Sequence, residues 1–545
     1  MLKETLDEML RFSVERFKRR TALIFFGNRI TYGLLWRHVN LFSSNLYRLG
    51  VRSGDRVAIM LPNCPQSVVA YFAVLDLNAT VVQFNTQYTK LEIERQFRDC
   101  EPAAFIVWDG FLDRLPEVAW EKVLISASVD EYLPFPINYL YRFKQWREKR
   151  KAPGKTASTE KPAIYRFRDL LRFFQIDSYS LTESRPDDIA VLQYTGGTTD
   201  AAKGAVLTHK NLVANVYQVY QWFSKFKYAR RHNQVMLAAA PLFHSFAMTV
   251  CQNLMLFRGD TIVLVPDPRN LNMLMKLVKK YKPTIFPGPP RLLAAFADKA
   301  RGQKISSIRY GISGSAPLPV KVLRSFEEAT GAVLAEGYGL SETSPATHCN
   351  PLDARNRREG SIGLLMPDTE AKIIDEQGNM LPDGEVGELI LFGPQVMREY
   401  WNKPEETEKA FRSYHGKKFF CTGDAAKKDS DGYFYIVDRF KDMIIKNGEK
   451  VYSLEVEEVL LQNHLVQDAA VVGKKNARDK EDIIAFIVPK GSWEAADGNE
   501  IIKEIKEFCQ SRLTSYKVPD RLIFLTEIPK TTLAKTDKKK LREMA

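Results

Sequence analysis

The sequence predicts an α/β protein: a large N-terminal domain of α/β subdomains plus a small β-barrel, followed by a small mobile α+β domain. Three observations carry this expectation. Short apolar runs alternate with helical patterns over about the first 120 residues and again from Asp187 to Asp438, as in α/β sheets. Strand patterns alone fill Glu370 to Phe392. The chain after Asp438, about 105 residues long, has the size of a separate domain.

Size and charge narrow the classes of function. A chain of 545 residues exceeds a single hydrophobic core, so two or more domains are expected. The net charge of +13 favours anionic partners. No nucleic-acid reader motif occurs, so nucleic acid is not an expected partner. Nucleotides, coenzyme A and an anionic membrane surface remain as candidate partners.

Cysteine spacing and hydropathy bear on location. The six cysteines are scattered singly, without metal-binding or paired spacing, which favours a reducing cytoplasm. The longest apolar region, Met236 to Phe257, contains Pro241, His244 and Gln252. It is expected to form a buried wall rather than a membrane span. The N-terminus lacks a signal-peptide pattern.

The main domain is expected to contain the following elements in order. Val57 to Leu61 predicts a buried strand, and Ser67 to Leu77 predicts a helix. Further strands, several of them parallel, are predicted at 81–84, 104–107, 189–193, 236–240, 261–265, 308–311 and 333–335. Loop-forming residues follow these strands, where α/β proteins place ligand sites.

Residues 134–174 begin apolar and aromatic and then become basic. A basic amphipathic stretch of this kind can lie on an anionic membrane surface. The alternative is a surface insertion with a solvated charged face, because charge runs usually have no partner. Both interpretations remain open at this point.

The last third of the chain has two further patterns. Strand runs at 371–374 and 387–392 around the turn Asp375–Gly378 predict a small barrel or sheet. Beyond Asp438 the order helix, strand, strand, helix, strand is typical of a small α+β domain. The predicted domains are 1–438 and 439–545, and the short charged linker 438–442 is expected to act as a hinge.

The stretch Tyr194 to Gly204 is the predicted centre of function. It follows a strand and contains two adjacent glycines, three threonines and Lys203. Glycines let the backbone approach an anion, and successive N–H groups form a concave anion site. Lys203 is followed by Gly204, so the stretch lacks the Walker order. A nucleotide phosphate cradle of another kind is expected.

Five ordered motifs resemble one family along the whole chain, the adenylate-forming enzymes, which include acyl-CoA synthetases and luciferases. The glycine-threonine stretch is similar to the first motif of that family. The others are Tyr338–Thr343 (Y-G-L-S-E-T), Cys421–Asp424 (C-T-G-D), Asp438–Asp442 (D-R-F-K-D) and Ile528–Lys535 (I-P-K-T-T-L-A-K). The resemblance implies attachment of AMP to a carboxylate with release of pyrophosphate, then transfer of the acyl group to a thiol.

The resemblance also implies how ATP is bound. Ser341 would bind the α-phosphate, and Glu342 would ligate Mg²⁺, an ion that takes one or two carboxylates together with phosphate oxygens. Asp424 would accept hydrogen bonds from the ribose, with help from Arg439. The β- and γ-phosphates would be held by Thr195, Gly196, Gly197, Thr198, Thr199 and Lys203. Tyr338 would stack on adenine, with Gly314, Ser315 and Ala316 on its other side, and Glu336 and Gly337 would belong to the same nucleotide site.

The same resemblance implies the acyl and coenzyme A sites. Lys535 would bridge the attacking carboxylate and the phosphate, and the C-terminal domain would rotate at Lys441. That rotation would bring in the loop around Gly448, where a glycine leaves room for pantetheine. The wall of the acyl site would be formed by Phe243, His244, Phe246, Met248, Phe286 and Gly288.

The sequence departs from the family pattern at several positions. Asp200 stands where glycine is usual, and its carboxylate could repel nucleotide unless it points away or pairs with Lys203. Ala202 replaces a common proline, Glu399 and Ala534 replace common glycines, and Ser341 replaces a common threonine while keeping the hydroxyl. These changes put rate and affinity in doubt but not the fold.

The expected function is activation of a fatty acid with ATP, Mg²⁺ and coenzyme A, giving acyl-CoA, AMP and pyrophosphate. Alternatives are a synthetase for aryl or branched-chain acids, a ligase that delivers acyl-AMP to a carrier protein, and a binding protein that has lost activity. The sequence leaves the oligomeric state open, a homodimer included, and leaves open whether a cytoplasmic protein touches the membrane peripherally.

Overall fold

A computed structural model describes residues 4–141, 143, 163–172, 183–195, 203–227, 229, 233–446, 449–476, 481–491, 498–531 and 536–545. The chain forms two compact units. Within the described residues, the first covers Met1–Thr195, Lys203–Thr369 and Gly393–Lys409, and the second covers Glu370–Phe392 and Ala410–Ala545. The domain boundary expected at 438–442 falls within the second unit and stays a prediction.

The first unit consists of sheets and the helices that pack on them. Its strands are β1 (Thr21–Phe25), β2 (Asn28–Thr31), β3 (Arg56–Met60), β4 (Thr80–Gln83), β5 (Ala104–Trp108), β6 (Val123–Ala127), β7 (Ile164–Arg166), β8 (Ile189–Thr195), β9 (Lys203–Thr208), β10 (Val235–Ala238), β11 (Thr261–Leu264), β12 (Ile285–Gly288), β13 (Tyr310–Ser313), β14 (Val333–Gly339), β15 (Ala346–Cys349) and β16 (Leu364–Leu365).

The helices of this unit alternate with the strands, as the sequence predicts. They are α1 (Leu6–Phe17), α2 (Tyr32–Arg48), α3 (Pro65–Asp76), α4 (Lys90–Cys100), α5 (His209–Ser224), α6 (Ser245–Ala247), α7 (Leu254–Arg258), α8 (Leu271–Tyr281), α9 (Pro290–Ala300), α10 (Val320–Thr330) and α11 (Pro404–Lys409). A π-helical segment, Met248–Asn253, joins α6 to α7. The apolar region at 236–257 is therefore a strand and a broken helix, and it is almost entirely buried.

The strands of the first unit form two large sheets. One has nine strands in the order β16-β15-β14-β13-β12-β10-β11-β1-β2, and the other has seven in the order β7-β6-β5-β3-β4-β8-β9. Strands β10 to β14 pair in parallel, which confirms the expectation for this region. The run expected at 308–311 forms its ladder two residues later, because pairing begins at Tyr310, opposite Ile285 and Val333.

Aromatic side chains fill the core on one side of the nine-stranded sheet. Phe286 of β12, Phe296 of α9 and Phe326 of α10 are fully buried in one hydrophobic cluster. The rings of Phe286 and Phe296 meet edge to face, 4.9 Å apart between centroids. Burial of each such side chain stabilises the fold by about 1.5–3 kcal/mol. This packing fixes the strands whose ends carry the candidate site.

The start of α5 illustrates how local sequence fixes an element beside the site. Thr208, the last residue of β9, accepts a hydrogen bond from the Asn211 N–H at 3.2 Å through its hydroxyl. The Asn211 side chain in turn accepts from the Thr208 N–H at 2.9 Å. This reciprocal cap satisfies N–H groups that a helix start leaves unpaired. It ties the strand that begins at Lys203 to the helix that follows.

The second unit has three smaller sheets. The strands are β17 (Glu370–Ile374), β18 (Gly387–Phe392), β19 (Phe411–Tyr414), β20 (Lys417–Lys428), β21 (Phe434–Arg439), β22 (Ile444–Lys446), β23 (Glu449–Val451), β24 (Val466–Lys475), β25 (Glu481–Pro489) and β26 (Arg521–Phe524). The helices are α12 (Ser453–Gln462), α13 (Gly498–Gln510) and α14 (Lys538–Met544).

Strands β17 to β21 form an antiparallel five-stranded sheet, which is the barrel or sheet that the sequence predicts. The turn between β17 and β18 is closed by the Gly378 N–H, which donates to the Asp375 carbonyl at 3.1 Å. Strands β24, β25 and β26 form a separate sheet with α12 and α13 in the same hydrophobic cluster. The helix-strand-strand-helix-strand order expected after Asp438 is confirmed.

Across the described ranges, none of the helices combines the length and the apolar character that crossing a bilayer requires. The six cysteines are free thiols, and five of them are buried.

Candidate active site

The β8–β9 hairpin carries the predicted phosphate-binding loop. Its strands are antiparallel, and Thr195 lies opposite Lys203 in the ladder. Gly204 lets β9 pass close to the Tyr194 ring, since a Cβ at this position would lie 3.1 Å from it. Four predicted loop residues lie outside the described residues: Gly196, Gly197, Thr198 and Thr199. The sheet therefore fixes both ends of the predicted loop.

Lys203 is held by two side chains of one segment. Its ammonium forms an ion pair with Glu406 of α11. It also lies over the ring of Tyr400, 5.2 Å from the centroid. The hydrogen bond and the charge of Lys203 lower the pKa of the Glu406 carboxyl. The Lys203 ammonium is thus held by a carboxylate and by the face of an aromatic ring.

Ser341 and Glu342 lie in a short 3₁₀ turn, Ser341–Thr343, directly after β14. The strand ends at Gly339, where a Cβ would lie 1.7 Å from the Pro345 carbonyl oxygen. Only glycine tolerates an approach this close. The sequence Y-G-L-S-E-T therefore produces a tight turn that presents a hydroxyl and a carboxylate.

Glu342 is fixed by its main chain and by its side chain. Its carbonyl accepts a hydrogen bond from the Met397 N–H at 2.7 Å. Its carboxylate oxygen Oε1 accepts from the Tyr400 hydroxyl at 2.8 Å. Burial, with the Glu342 charge beside it, raises the pKa of Tyr400, so this hydroxyl keeps its proton and donates. Both side chains belong to residues that are only 8% exposed.

The predicted adenine-binding residues lie at the carboxyl ends of neighbouring strands. Strands β13 and β14 are parallel, with Ser313 opposite Glu336. Gly314 and Tyr338 therefore follow at the same edge of the sheet, where open α/β sheets bind ligands. The ring of Tyr338 packs edge-on against His348, 5.7 Å between centroids.

Three other predicted residues shape the backbone of this edge. The Glu336 carboxylate accepts the Leu318 N–H at 3.0 Å and so fixes the loop after β13. In that loop, between Gly314 and Ala316, Ser315 has a φ of +72°, in the left-handed region. Gly337, in β14, has its backbone opposite Cys349 of β15.

The predicted acyl wall begins where β10 gives way to α6. The rings of Phe243 and His244 are 5.0 Å apart, and the Phe243 carbonyl accepts from the Gln193 side chain at 3.1 Å. The Phe246 ring lies where a Cβ on Gly314 would meet it at 3.2 Å. The predicted acyl and adenine residues are thus neighbours.

The other predicted wall residues are more deeply placed. Met248 is fully buried, and Phe286 belongs to the hydrophobic core beneath the sheet. Gly288 ends β12, and a Cβ there would lie 3.2 Å from Leu292. Contact between these residues and an acyl chain stays a prediction.

In the second unit, Asp424 and Arg439 face each other across β20 and β21. Their side chains form an ion pair with 3.1 Å between Nε and Oδ1, and Asp424 is buried. Lys441 lies in the 3₁₀ turn that follows β21. Burial, followed by the charge of Arg439, lowers the pKa of Lys441. Gly448 and Lys535 lie outside the described residues.

The surroundings of Glu342 fit a magnesium ligand. Mg²⁺ usually binds through one or two carboxylates together with phosphate oxygens and water. Glu342 offers one such carboxylate, held at one oxygen by a neutral donor. Among the described residues there is no group of three or more His, Cys, Asp and Glu side chains that could hold a metal. A single carboxylate of this kind could bind the ion jointly with a triphosphate.

Two residues that contact the predicted site were missed by sequence reasoning, Tyr400 and Glu406. Both lie in the run Y-W-N-K-P-E-E-T after Glu399, which places two aromatics and two carboxylates in eight residues. This density of functional groups is the feature of the sequence that could have indicated both residues. Their partners, Lys203 and Glu342, are distant in sequence, so only the fold identifies the contacts.

Comparison with known sequences places the chain in a family. The family described as "AMP-binding enzyme" matches residues 10–401, and its "AMP-binding enzyme C-terminal domain" matches residues 455–535. The chain is 38% identical to a long-chain-fatty-acid–CoA ligase of Bacillus subtilis, with 99% of this chain and 94% of the relative covered. It is 34% identical to the ligase of the same name from Escherichia coli, with 99% and 95% covered.

Solved structures give the same result. ATP-bound MatB from Rhodopseudomonas palustris matches with a TM-score of 0.83 at 25% identity, and 99% of each chain is covered. The anthranilate CoA ligase AuaEII in complex with anthranoyl-AMP matches with a TM-score of 0.83 at 26% identity, covering 100% of this chain and 98% of that one. With a family match over more than half of its length, the chain belongs to the AMP-binding enzymes.

Proposed function

We propose that this chain activates a fatty acid with ATP to an acyl-adenylate and then transfers the acyl group to coenzyme A. The observation that carries the proposal is the meeting of Lys203 and Glu342 at one residue, Tyr400. A cation for phosphates and a carboxylate for Mg²⁺ are thereby brought together from separate motifs. The fatty acid–CoA ligases of B. subtilis and E. coli, similar over nearly their whole length, support this reaction.

Each group has a proposed role in the first step. The carboxylate of the fatty acid attacks the α-phosphorus of ATP, and pyrophosphate leaves with the electron pair of the broken P–O bond. Ser341 and Lys203 bind phosphate oxygens, and Lys535 bridges the two anionic reactants. Catalysis is then mostly positioning and compensation of negative charge. Mg²⁺ bound by Glu342 would neutralise further charge on the phosphates.

The nucleoside and the second step use other residues. Gly314 and Tyr338 hold the adenine, and Asp424 accepts the ribose hydroxyls with Arg439 beside it. In the second step the thiolate of coenzyme A attacks the acyl carbonyl carbon, and AMP leaves. We propose that a rotation about residues 438–442 exchanges Lys535 for the loop at Gly448 between the two steps.

The proposed hinge is spanned by hydrogen bonds within the second unit. The Asp438 carboxylate accepts the Ser453 hydroxyl at 2.7 Å and the Arg439 N–H at 2.7 Å. The bond to Ser453 joins a residue before the hinge turn to the start of α12 after it, so the proposed rotation would have to break this bond. Torsional change would fall in the 3₁₀ turn that contains Lys441, because a few residues at the end of an element can absorb a hinge rotation.

A fatty acid is the proposed substrate because four of the six residues in the wall at 243–248 are apolar: Phe243, Phe246, Ala247 and Met248. Each CH₂ group buried there would contribute about 0.8 kcal/mol, so binding should strengthen with chain length until the available space is filled. An aryl or branched-chain acid would also bind an apolar wall. The substrate series below separates these alternatives.

Pyrophosphate release is expected to depend on a fatty acid and to rise along the series from hexanoate to palmitate. The reason is the transfer free energy of each added CH₂ group. The measurement is a coupled pyrophosphate assay with ATP, Mg²⁺ and coenzyme A. Decanol, with the same chain as decanoate but no carboxylate, is the matched control and should give no release.

Three outcomes would contradict the fatty acid assignment. Activity with benzoate or coumarate and none with decanoate would identify an aryl-acid synthetase. Acyl-AMP that accumulates despite free coenzyme A would identify a ligase that serves a carrier protein. ATP binding without acyl-AMP formation for any acid would identify an inactive binding protein.

We also propose that the enzyme is cytoplasmic and touches anionic membranes peripherally through residues 135–143. Five apolar or aromatic side chains in this range are exposed, among them Phe135 at 81% and Leu140 at 66%. The neighbouring sequence 142–151 has six Lys or Arg residues and one Glu. Exposed apolar groups beside basic charge are typical of segments that bind an anionic lipid surface.

The double variant Phe135→Ser/Leu140→Ser is expected to lose most co-sedimentation with phosphatidylglycerol vesicles. The variant removes the two most exposed of the five apolar side chains, and with them much of the binding that does not depend on charge. Leu91→Ser, which alters another exposed leucine, is the control and should bind like the wild-type chain. Equal binding of all three proteins, or equal binding to neutral vesicles, would contradict the proposal.

A further inference from the structure

The backbone of Tyr400 is fixed by the sheet that carries Lys203. The Val206 N–H donates to the Glu399 carbonyl at 2.9 Å, and the Trp401 N–H donates to the Gly204 carbonyl at 2.8 Å. These bonds pair the segment around Tyr400 with the outer edge of β9. Tyr400 and Lys203 therefore belong to one hydrogen-bonded ladder.

The side chain of Tyr400 contacts both charged groups of the proposed phosphate site. Its hydroxyl donates to Glu342 Oε1 at 2.8 Å, and its ring face lies 5.2 Å from Lys203 Nζ. We propose that Tyr400 is a positioning residue for the metal–triphosphate: its hydroxyl orients the Glu342 carboxylate toward the metal, and its ring directs Lys203 toward the phosphates. The proposal rests on the proposed roles of Glu342 and Lys203.

The hydroxyl is the part of Tyr400 that acts on the metal ligand. A buried carboxylate with a donor on one oxygen presents its other oxygen in a defined direction. Donors of this kind behind a metal ligand typically raise metal affinity about 10–100-fold. A purely structural tyrosine would have no such selective effect on the metal.

Glu406 contributes to the position of Lys203. Its carboxylate pairs with the ammonium, while the Tyr400 N–H donates to the Thr407 hydroxyl at 2.9 Å. The start of α11 thus holds the backbone of Tyr400 and the charge of Lys203 together. Loss of the Tyr400 hydroxyl leaves the Glu406 contact and the aromatic ring in place. Tyr400→Phe therefore tests the effect of Tyr400 on the metal ligand Glu342 separately from its effect on Lys203.

The test is Tyr400→Phe, with Mn²⁺ as the probe ion and α,β-methylene-ATP as a nucleotide that cannot transfer its adenylyl group. Free Mn²⁺ is measured by electron paramagnetic resonance in the presence of the full-length protein and nucleotide. We expect about 10–100-fold weaker Mn²⁺ affinity in the variant. Nucleotide affinity in EDTA should not change, because the ring and Lys203 remain.

The control is Tyr435→Phe. This tyrosine also donates its hydroxyl to a carboxylate, Asp429, at 3.0 Å, but lies outside the proposed site. Wild-type Mn²⁺ affinity is expected for it. Should Tyr400→Phe prove poorly folded by its melting temperature, 3-fluorotyrosine at position 400 keeps the shape and strengthens the donor, and a change in Mn²⁺ affinity is expected.

The outcomes separate this inference from the proposed function. Mn²⁺ affinity that falls in Glu342→Gln but not in Tyr400→Phe or the fluorotyrosine protein would overturn the role of Tyr400 alone. If Tyr400→Phe weakened nucleotide affinity equally with and without metal, Tyr400 would have a merely structural role, and the proposal would also be overturned. Wild-type affinity in Glu342→Gln would instead overturn the metal role of Glu342, and with it the proposed function of that site.

Discussion

Replacement of Lys535 by alanine is expected to lower the rate of acyl-adenylate formation by about 10²–10³-fold, the usual loss when one group that stabilises transition-state charge is removed. This lysine is proposed to bridge the carboxylate and the α-phosphate, two anions that otherwise repel. Thioester formation from supplied acyl-AMP and coenzyme A should remain close to wild type, since that step does not bring the anions together. Rapid-quench measurement of each half-reaction checks both expectations.

Lys530→Ala is the matched control for this variant. Lys530 lies in the same motif, but its ammonium contacts Asp468 at 3.5 Å within the second unit. Its loss should leave both half-reactions near wild type. Equal losses in the two half-reactions of Lys535→Ala would contradict a role confined to adenylation and would argue for general destabilisation.

Glu342→Gln should lower kcat/KM for ATP by about 10²-fold or more and should move the Mg²⁺ dependence to higher concentrations. The amide keeps an oxygen that can accept from Tyr400, so the turn should survive, but it lacks the charge that binds the ion. Initial rates measured against free Mg²⁺ at fixed ATP give both quantities.

A control for this second variant is Glu370→Gln, which removes a carboxylate that pairs with Lys417 on the surface of the second unit. It should behave like the wild-type chain. A Glu342→Gln enzyme whose rate saturates at the wild-type Mg²⁺ concentration would show that the carboxylate is not a metal ligand.

Strong local patterns made most of the fold predictable. The runs at Val57 and Ala104 are short, apolar and bounded by turn residues, and both form parallel strands. The run at Ile308 was placed two residues early because periodicity does not contain the partner strand. Its ladder is set by Ile285 and Val333, which lie on other elements. Register depends on tertiary pairing, which a single segment does not encode.

The residues of the candidate site also differ in how far the sequence predicts them. The glycine-threonine stretch predicted Lys203, and the resemblance of Tyr338–Thr343 to a family motif predicted Glu342. Tyr400 has no such local context. Its importance lies in contacts with two residues far away in the sequence, and these exist only once the segment pairs with β9. The apolar character of Phe286 suits a tunnel or a core; the structure buries it in a hydrophobic cluster, and its contact with an acyl chain stays a prediction.

The clamping of β9 from both sides has an evolutionary implication. One edge of this strand is bonded to β8, where Thr195 faces Lys203, and the other is bonded to the backbone of 398–401. Seven residues, 196–202, connect ends whose separation the sheet already dictates. Substitutions within that connection, such as Asp200 and Ala202, would then leave the place of Lys203 in the ladder unchanged. The hairpin would therefore tolerate changes in its loop during evolution with little loss of stability.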